Sequence, residues 1–268
     1  METLQLHQDR SRAPRPGPMA YRRPAKTAKS MPDLVGAAWA DLEELTCDPT
    51  TLAANRILTA QDVRARAFDH LRTRLVHLHH QHGWKRIAIV SPEGGVGRTT
   101  LLINLAFALS RQRELRTIAY DFDLRRPGMA RLLGQSSAHD LGASLGSDTP
   151  LETHMLRQGM NMAFALNTAR ADRSAELLHR LKTEALLTRI EEIFEPDLML
   201  FDMPPMLVAD DAHGFLRTVD AALIVMQADR TPIHQIDLIE RQVASLTNVA
   251  GIVLNRCAIA EHSDRRDG

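Results

Sequence analysis

Cysteine is almost absent from these 268 residues: Cys47 and Cys257 are the only two. Two thiols this far apart give neither a disulfide framework nor metal-ligand spacing, and they suit a reducing cytoplasm. Aromatic residues are scarce at 4%, and the tyrosines are Tyr21 and Tyr120 alone. No apolar run approaches the roughly 18 residues that a membrane span needs. The N-terminus lacks the apolar stretch of a secretory leader. Net charge is missing too, because 33 Lys and Arg balance 33 Asp and Glu. No global field therefore argues for nucleic acid as a partner. What remains is 44% hydrophobic and 25% charged residues, the balance of a globular protein with one sizeable core and a tail.

Charge is nevertheless uneven. Residues 1–30 hold Arg10, Arg12, Arg15, Arg22, Arg23, Lys26 and Lys29 against only Glu2 and Asp9. The stretch from Arg12 to Pro18 is rich in proline and poor in core formers. Residues 1–45 are thus expected to be a disordered, basic, Pro-rich arm. Residues 46–257 are expected to be the globular domain and 258–268 a polar tail. The arm is either solvated or a peripheral contact to an anionic lipid surface or an acidic partner. Over 61–82, Val63, Ala67, Leu71, Leu75 and Leu78 recur at helical spacing. His77, His79, His80 and His82 end that helix; no Cys or carboxylate joins them, so an exposed last turn is expected rather than a metal site.

From residue 86 short apolar runs alternate with helical segments: 86–90, 117–120, 160–166, 198–201, 221–226 and 251–254. Continuous apolar strands between helices predict an α/β fold with a doubly wound, mostly parallel sheet buried on both faces. Such sheets bind ligands at the carboxyl ends of their strands.

Three motifs fall at those ends. The first, Ser91–Thr100, is a glycine-rich turn between a strand and a helix. Its backbone amides can wrap a phosphate chain through Gly94, Gly95, Val96, Gly97, Arg98, Thr99 and Thr100, and the Thr99 hydroxyl suits Mg²⁺. Arg98 stands where a Lys usually reaches the β- and γ-phosphates; it keeps the charge but is larger, planar and forked. Phosphate binding can then survive while transfer geometry is lost. The second motif, Ile118–Pro127, ends a strand with Asp121 and Asp123, which period-2 geometry points to one side. Two such acids suit Mg²⁺ and activation of a hydroxyl or water. The third, Leu198–Pro205, delivers Asp202 as a second metal-side acid. At the end of the run 250–255, Asn255 serves either a nucleotide base edge or a turn.

Together these motifs resemble the bacterial tyrosine kinases of capsule and exopolysaccharide assembly. Asp123–Pro127, Phe201–Pro205, Ala175–Leu178 and His70–Thr73 look like that family's blocks, and the resemblance spans roughly 60–257. It implies a SIMIBI-like P-loop NTPase fold, with ATP and Mg²⁺ as cofactors. Thr99, Asp121 and Asp202 would serve the metal, and Asp121, Asp123 and Arg98 the chemistry. It also implies a cytoplasmic protein held at the inner membrane by a separate transmembrane chain-length regulator, and possible homo-oligomers. The chain departs from the family in Arg98, in lacking C-terminal tyrosines, and in carrying Arg66, Asp69 and Arg72 where relatives often place Glu and two Arg for ring assembly. Two other readings stay open. One is a ParA/MinD-type positioning ATPase, which the loop at 94–100 also resembles, although Glu93 replaces that family's Lys. The other is a regulator that binds nucleotide without transferring phosphate.

Overall fold

The computed structural model describes residues 2–7, 32–208 and 210–258. In chain order, β1 (Glu2–His7), α1 (Pro32–Asp41), β2 (Glu43–Glu44), α2 (Pro49–Ala54) and α3 (Ala65–His82) come first. The alternation then runs β3 (Arg86–Val90), α4 (Arg98–Ser110), β4 (Thr117–Asp121), α5 (Met129–Leu132) and α6 (Leu141–Gly146). It continues through β5 (Met155–Gln158), β6 (Met162–Ala165), α7 (Ser174–Leu178), α8 (Leu181–Phe194) and β7 (Leu198–Asp202). It ends with α9 (Asp211–Phe215), β8 (Ala221–Gln227), α10 (Ile233–Leu246) and β9 (Asn248–Ala258).

The strands form one sheet in the order β1-β9-β8-β3-β7-β4-β6-β5-β2. Every pairing from β9 through β6 is parallel, as expected for a doubly wound α/β protein. Strands β3, β4, β6 and β7 are buried at every position, and β8 at all but its last. In β3, Ala88 and Val90 point into a core shared with α1, α8, α9 and α10, whereas Ile87 and Ile89 point into one shared with α3 and α4. Helix α4 sits deepest, with Leu101, Leu102, Ile103, Leu105, Ala106, Ala108 and Leu109 all buried. A helix apolar around most of its circumference needs cover on both sides, here from the sheet and α3. The α3 stripe is Leu71, Leu75 and Leu78; Val63, expected on it, precedes the helix and is exposed. Gly83, at φ 71°, ends α3 in the left-handed conformation that favours glycine, its N–H returning to His79 O at 2.7 Å.

The run expected as a strand at 160–166 holds β6, and the structure adds a strand before it, β5, which pairs antiparallel with β6 across a turn at Gly159 with φ 66°. The structure corrects one expectation, the disordered arm through residue 45, at both ends. β1 pairs antiparallel with β9, and α1 is docked on α8. In α1, Val35 and Trp39 are buried, and Trp39 Nε1 donates to Phe194 O at 2.8 Å. The indole meets the Phe194 ring edge-on at 5.9 Å between centroids. Residues 8–31, with the seven basic side chains, lie outside the described residues, as do 259–268 of the expected tail.

Candidate functional site

The glycine turn between β3 and α4 is braced on two sides. Past β7, Met206 N–H donates to Ser91 O at 2.9 Å and Leu207 N–H to Pro92 O at 3.1 Å. Past β9, Asn255 Nδ2 donates to Val96 O at 2.8 Å. That second approach requires Gly97: its φ is 91°, and a Cβ there would lie 2.5 Å from Asn255 Nδ2. From the loop after β8, Arg230 reaches the turn and pairs with Glu93 at 3.7 Å. Past the turn, α4 runs for 13 residues, and its first-turn amides and positive dipole end provide the setting in which helices hold phosphate.

The acids converge beneath this turn. β4 and β7 are neighbours, and their register sets Asp121 opposite Asp202. Thr99 Oγ1 donates to Asp202 Oδ2 at 2.5 Å. Arg98 is buried among the same groups: Nη2 donates to Asp123 Oδ2 at 3.1 Å, Nη1 to Ser91 Oγ, and Nε lies 3.5 Å from Asp202 Oδ1. Burial, reinforced by the Asp202 charge and opposed by Arg98, raises Asp123 to about 6. Burial and then Asp202 push Asp121 well above the usual carboxylate range. Asp202 is raised by burial, with Arg98 and Thr99 opposing. Three acids that resist ionisation mark a place where added positive charge is stabilised.

The predicted residues do not all have free hands. Asp121 caps α5, accepting from Gly128 N–H at 3.0 Å and Met129 N–H at 2.8 Å through Oδ2; its buried Oδ1 has no hydrogen-bond partner. Asn255 acts as a turn residue, bracing Val96 and accepting from Arg256 N–H at 2.9 Å. Arg125 pairs with buried Asp211 at 2.9 Å, and Ser174 Oγ bonds the same carboxylate, so the segments around Leu124, Ala175 and Asp210 meet. At the end of α3, His79 is bonded to Trp84 O and His82 stacks on Trp84.

Sequence reading missed Ser91, Asn104 and Arg230. Asn104 is buried on α4, accepts from Leu58 N–H at 2.7 Å and donates to Arg56 O and Thr100 O. It thereby pins the lead-in segment beside the turn. Between them opens a cleft with a cavity of about 70 Å³, continuous with solvent, lined in part by Leu58, Phe68, Leu101, Asn104, Asn255 and Arg256. A helical stretch of apolar residues interrupted by one Asn was the signal available for Asn104.

Glycine turn, helix terminus, hydroxyl and strand-end acids in this parallel sheet define a P-loop nucleotide-binding protein. The chain belongs to the CobQ/CobB/MinD/ParA nucleotide binding domain family, whose model matches residues 87–267. It is 26% identical over 215 residues to AmsA of Erwinia amylovora, a protein ascribed tyrosine-kinase activity; the match covers 78% of this chain and 29% of AmsA. It resembles the solved kinase domain of the Escherichia coli tyrosine kinase ETK with a TM-score of 0.68 and 25% identity, over 80% of this chain and 84% of that one. The septum site-determining protein MinD of Pyrococcus horikoshii, solved with Mg-ADP, shares the fold with a TM-score of 0.51 and 20% identity, over 63% and 68% of the two chains. Bacterial tyrosine kinases are thus among the relatives and structural neighbours of this chain. Among the described residues, no helix is long and apolar enough to cross a membrane.

Proposed function

We propose that this chain is an Mg²⁺- and ATP-binding protein of the tyrosine-kinase kind, acting in exopolysaccharide or capsule export at the inner membrane beside a transmembrane chain-length regulator. One observation carries the reading: Thr99, Asp202, Asp123 and Arg98 meet under the glycine turn. The residues fit a hard divalent ion. Thr99 and Asp202 offer oxygen donors, and the buried Oδ1 of Asp121 is without a hydrogen bond. Among the described residues no three His, Cys, Asp or Glu side chains form a metal cage by themselves. That suits Mg²⁺, which takes few protein ligands and completes its shell with phosphate and water, and which would neutralise charge on a transferring phosphoryl group.

The chain's own groups do the rest. Amides of Gly94–Thr100 hold the phosphates, and the cavity beside Asn255 receives the nucleoside, with Phe68 and Leu58 as its apolar wall. Asp123, protonating near neutral pH, takes the proton of an attacking hydroxyl. Tyr120 is no acceptor: it is fully buried and stacked on Phe201 at 4.9 Å between centroids. Tyr21, outside the described residues, is the other tyrosine of the chain.

A second reading, nucleotide binding without transfer, draws on the same Arg98, whose guanidinium is committed to acids. One assay separates the readings: purified protein with γ-labelled ATP and Mg²⁺, scored separately for phosphotyrosine and free phosphate. Phosphotyrosine on Tyr21 or an added peptide supports the kinase. Phosphate release stimulated by vesicles or DNA supports a positioning ATPase, and binding with neither product supports the regulator. No ATP binding at all overturns the nucleotide reading.

A further inference from the structure

We propose that Arg98 is a tethered counterion: without a divalent metal its guanidinium occupies the metal's electrostatic place among the strand-end carboxylates, and loading the site requires it to withdraw. The inference rests on the nucleotide reading only for what the loaded state contains.

An arginine that opens a helix normally extends into water; this one is 6% exposed. Each of its three nitrogens has a destination. Nη1 holds Ser91 at the end of β3, Nη2 holds Asp123 beyond β4, and Nε faces Asp202 at the end of β7. A planar fork can span three such partners, whereas the point charge of a lysine ammonium cannot hold all of them in that geometry. The clamp is also incomplete. Nε and Asp202 Oδ1 are 3.5 Å apart, and each lacks a hydrogen bond although both are buried. Asp121 Oδ1 is likewise buried and unpartnered. One guanidinium therefore faces two of the three carboxylates and leaves two buried acceptors, on Asp121 and Asp202, open to a stronger cation.

A metal and the guanidinium compete for Asp123 and Asp202, so a metal ion alone is received poorly. A triphosphate changes the balance, because its oxygens give Arg98 a new charged partner as it leaves the acids. Metal and nucleotide then enter as a linked pair, each raising the other's affinity.

The test uses the full chain and Mn²⁺ without nucleotide, with free Mn²⁺ read by electron paramagnetic resonance and the thermal midpoint followed in parallel. Removing charged hydrogen bonds of this kind with R98M should tighten Mn²⁺ binding about tenfold or more, and R98K should fall between R98M and the parent. Mn²⁺ should also raise the thermal midpoint of R98M more than that of the parent. Equal or weaker Mn²⁺ binding by R98M overturns the proposal. Should R98M not fold, S91A loosens the guanidinium and keeps every carboxylate; about fivefold tighter Mn²⁺ is then expected, and no change refutes the idea. Parent protein that binds ATP with Mg²⁺, combined with unaltered Mn²⁺ affinity in R98M, sinks this inference alone. Tighter Mn²⁺ in R98M with no nucleotide bound by either protein sinks the nucleotide reading alone.

Discussion

Replacing Asp123 with Asn should change how stability depends on pH, in a direction the structure dictates. The carboxyl is 7% exposed, lies near Asp202 and is only partly compensated by Arg98, which lifts it from an ordinary value of 3.8 to about 6. Below the ordinary value the group is protonated in both the folded and the unfolded chain, and its contribution to stability is complete. As pH rises toward the folded value, the unfolded chain gives up its proton first and folding becomes less favourable. Once both forms are ionised the loss reaches on the order of 3 kcal/mol. Asp121 and Asp202 are raised too and push in the same direction, but they remain in D123N. Urea unfolding of both proteins in metal-free buffer isolates the share of Asp123. Between about pH 4.5 and about pH 8 the parent should lose roughly 2 kcal/mol more than D123N. Parallel curves for the two proteins would refute the assignment of charge strain to this carboxyl.

Trp39→Ala should cost about 4 kcal/mol by denaturant unfolding, since it empties a fully buried indole site and removes the bond to Phe194 O. Trp39→Phe, which keeps most of the ring, should cost about half as much; a loss under about 1 kcal/mol for the Ala variant would mean that α1 is not integral to the fold. Asn104→Ala leaves the Leu58 N–H without its acceptor and frees the wall of the cavity. It should destabilise by about 2 kcal/mol and weaken binding of a fluorescent ATP analogue while leaving tripolyphosphate binding close to the parent's. Equal losses for both ligands would count against the nucleoside placement.

Much of the α/β framework could be read from residue patterns. Runs such as Ile87–Val90 and Leu198–Phe201 are apolar at every position, which only strands covered on both faces tolerate, and the glycine turn and Asp202 lie at their carboxyl ends. What escaped is contact made across long stretches of chain. Trp39 lies within the stretch expected to be a disordered arm, and its role depends on Phe194, 155 residues away. The partner strand β5, just ahead of the run that holds β6, was not legible, because Met155–Gln158 is apolar only over its first two residues. Period-2 spacing put Asp121 and Asp123 on one side. It could not show that Asp121 is spent partly on capping α5 while Asp123 meets Arg98, since β4 ends at Asp121 and the chain turns there. Nor could local sequence show Arg98 turning inward, which depends on Ser91 and Asp202 both lying within its reach.

The two amide hydrogens lent by Met206 and Leu207 to the carbonyls of Ser91 and Pro92 make a mechanical link. It joins the start of the glycine turn to the segment that leaves β7, where Leu207 and Val208 stand out into solvent, Val208 at 68% exposure. The apolar rim at Leu207 and Val208 is thus tied by two backbone bonds to the start of the turn, and its position is set by the same strand ends that carry the carboxylates.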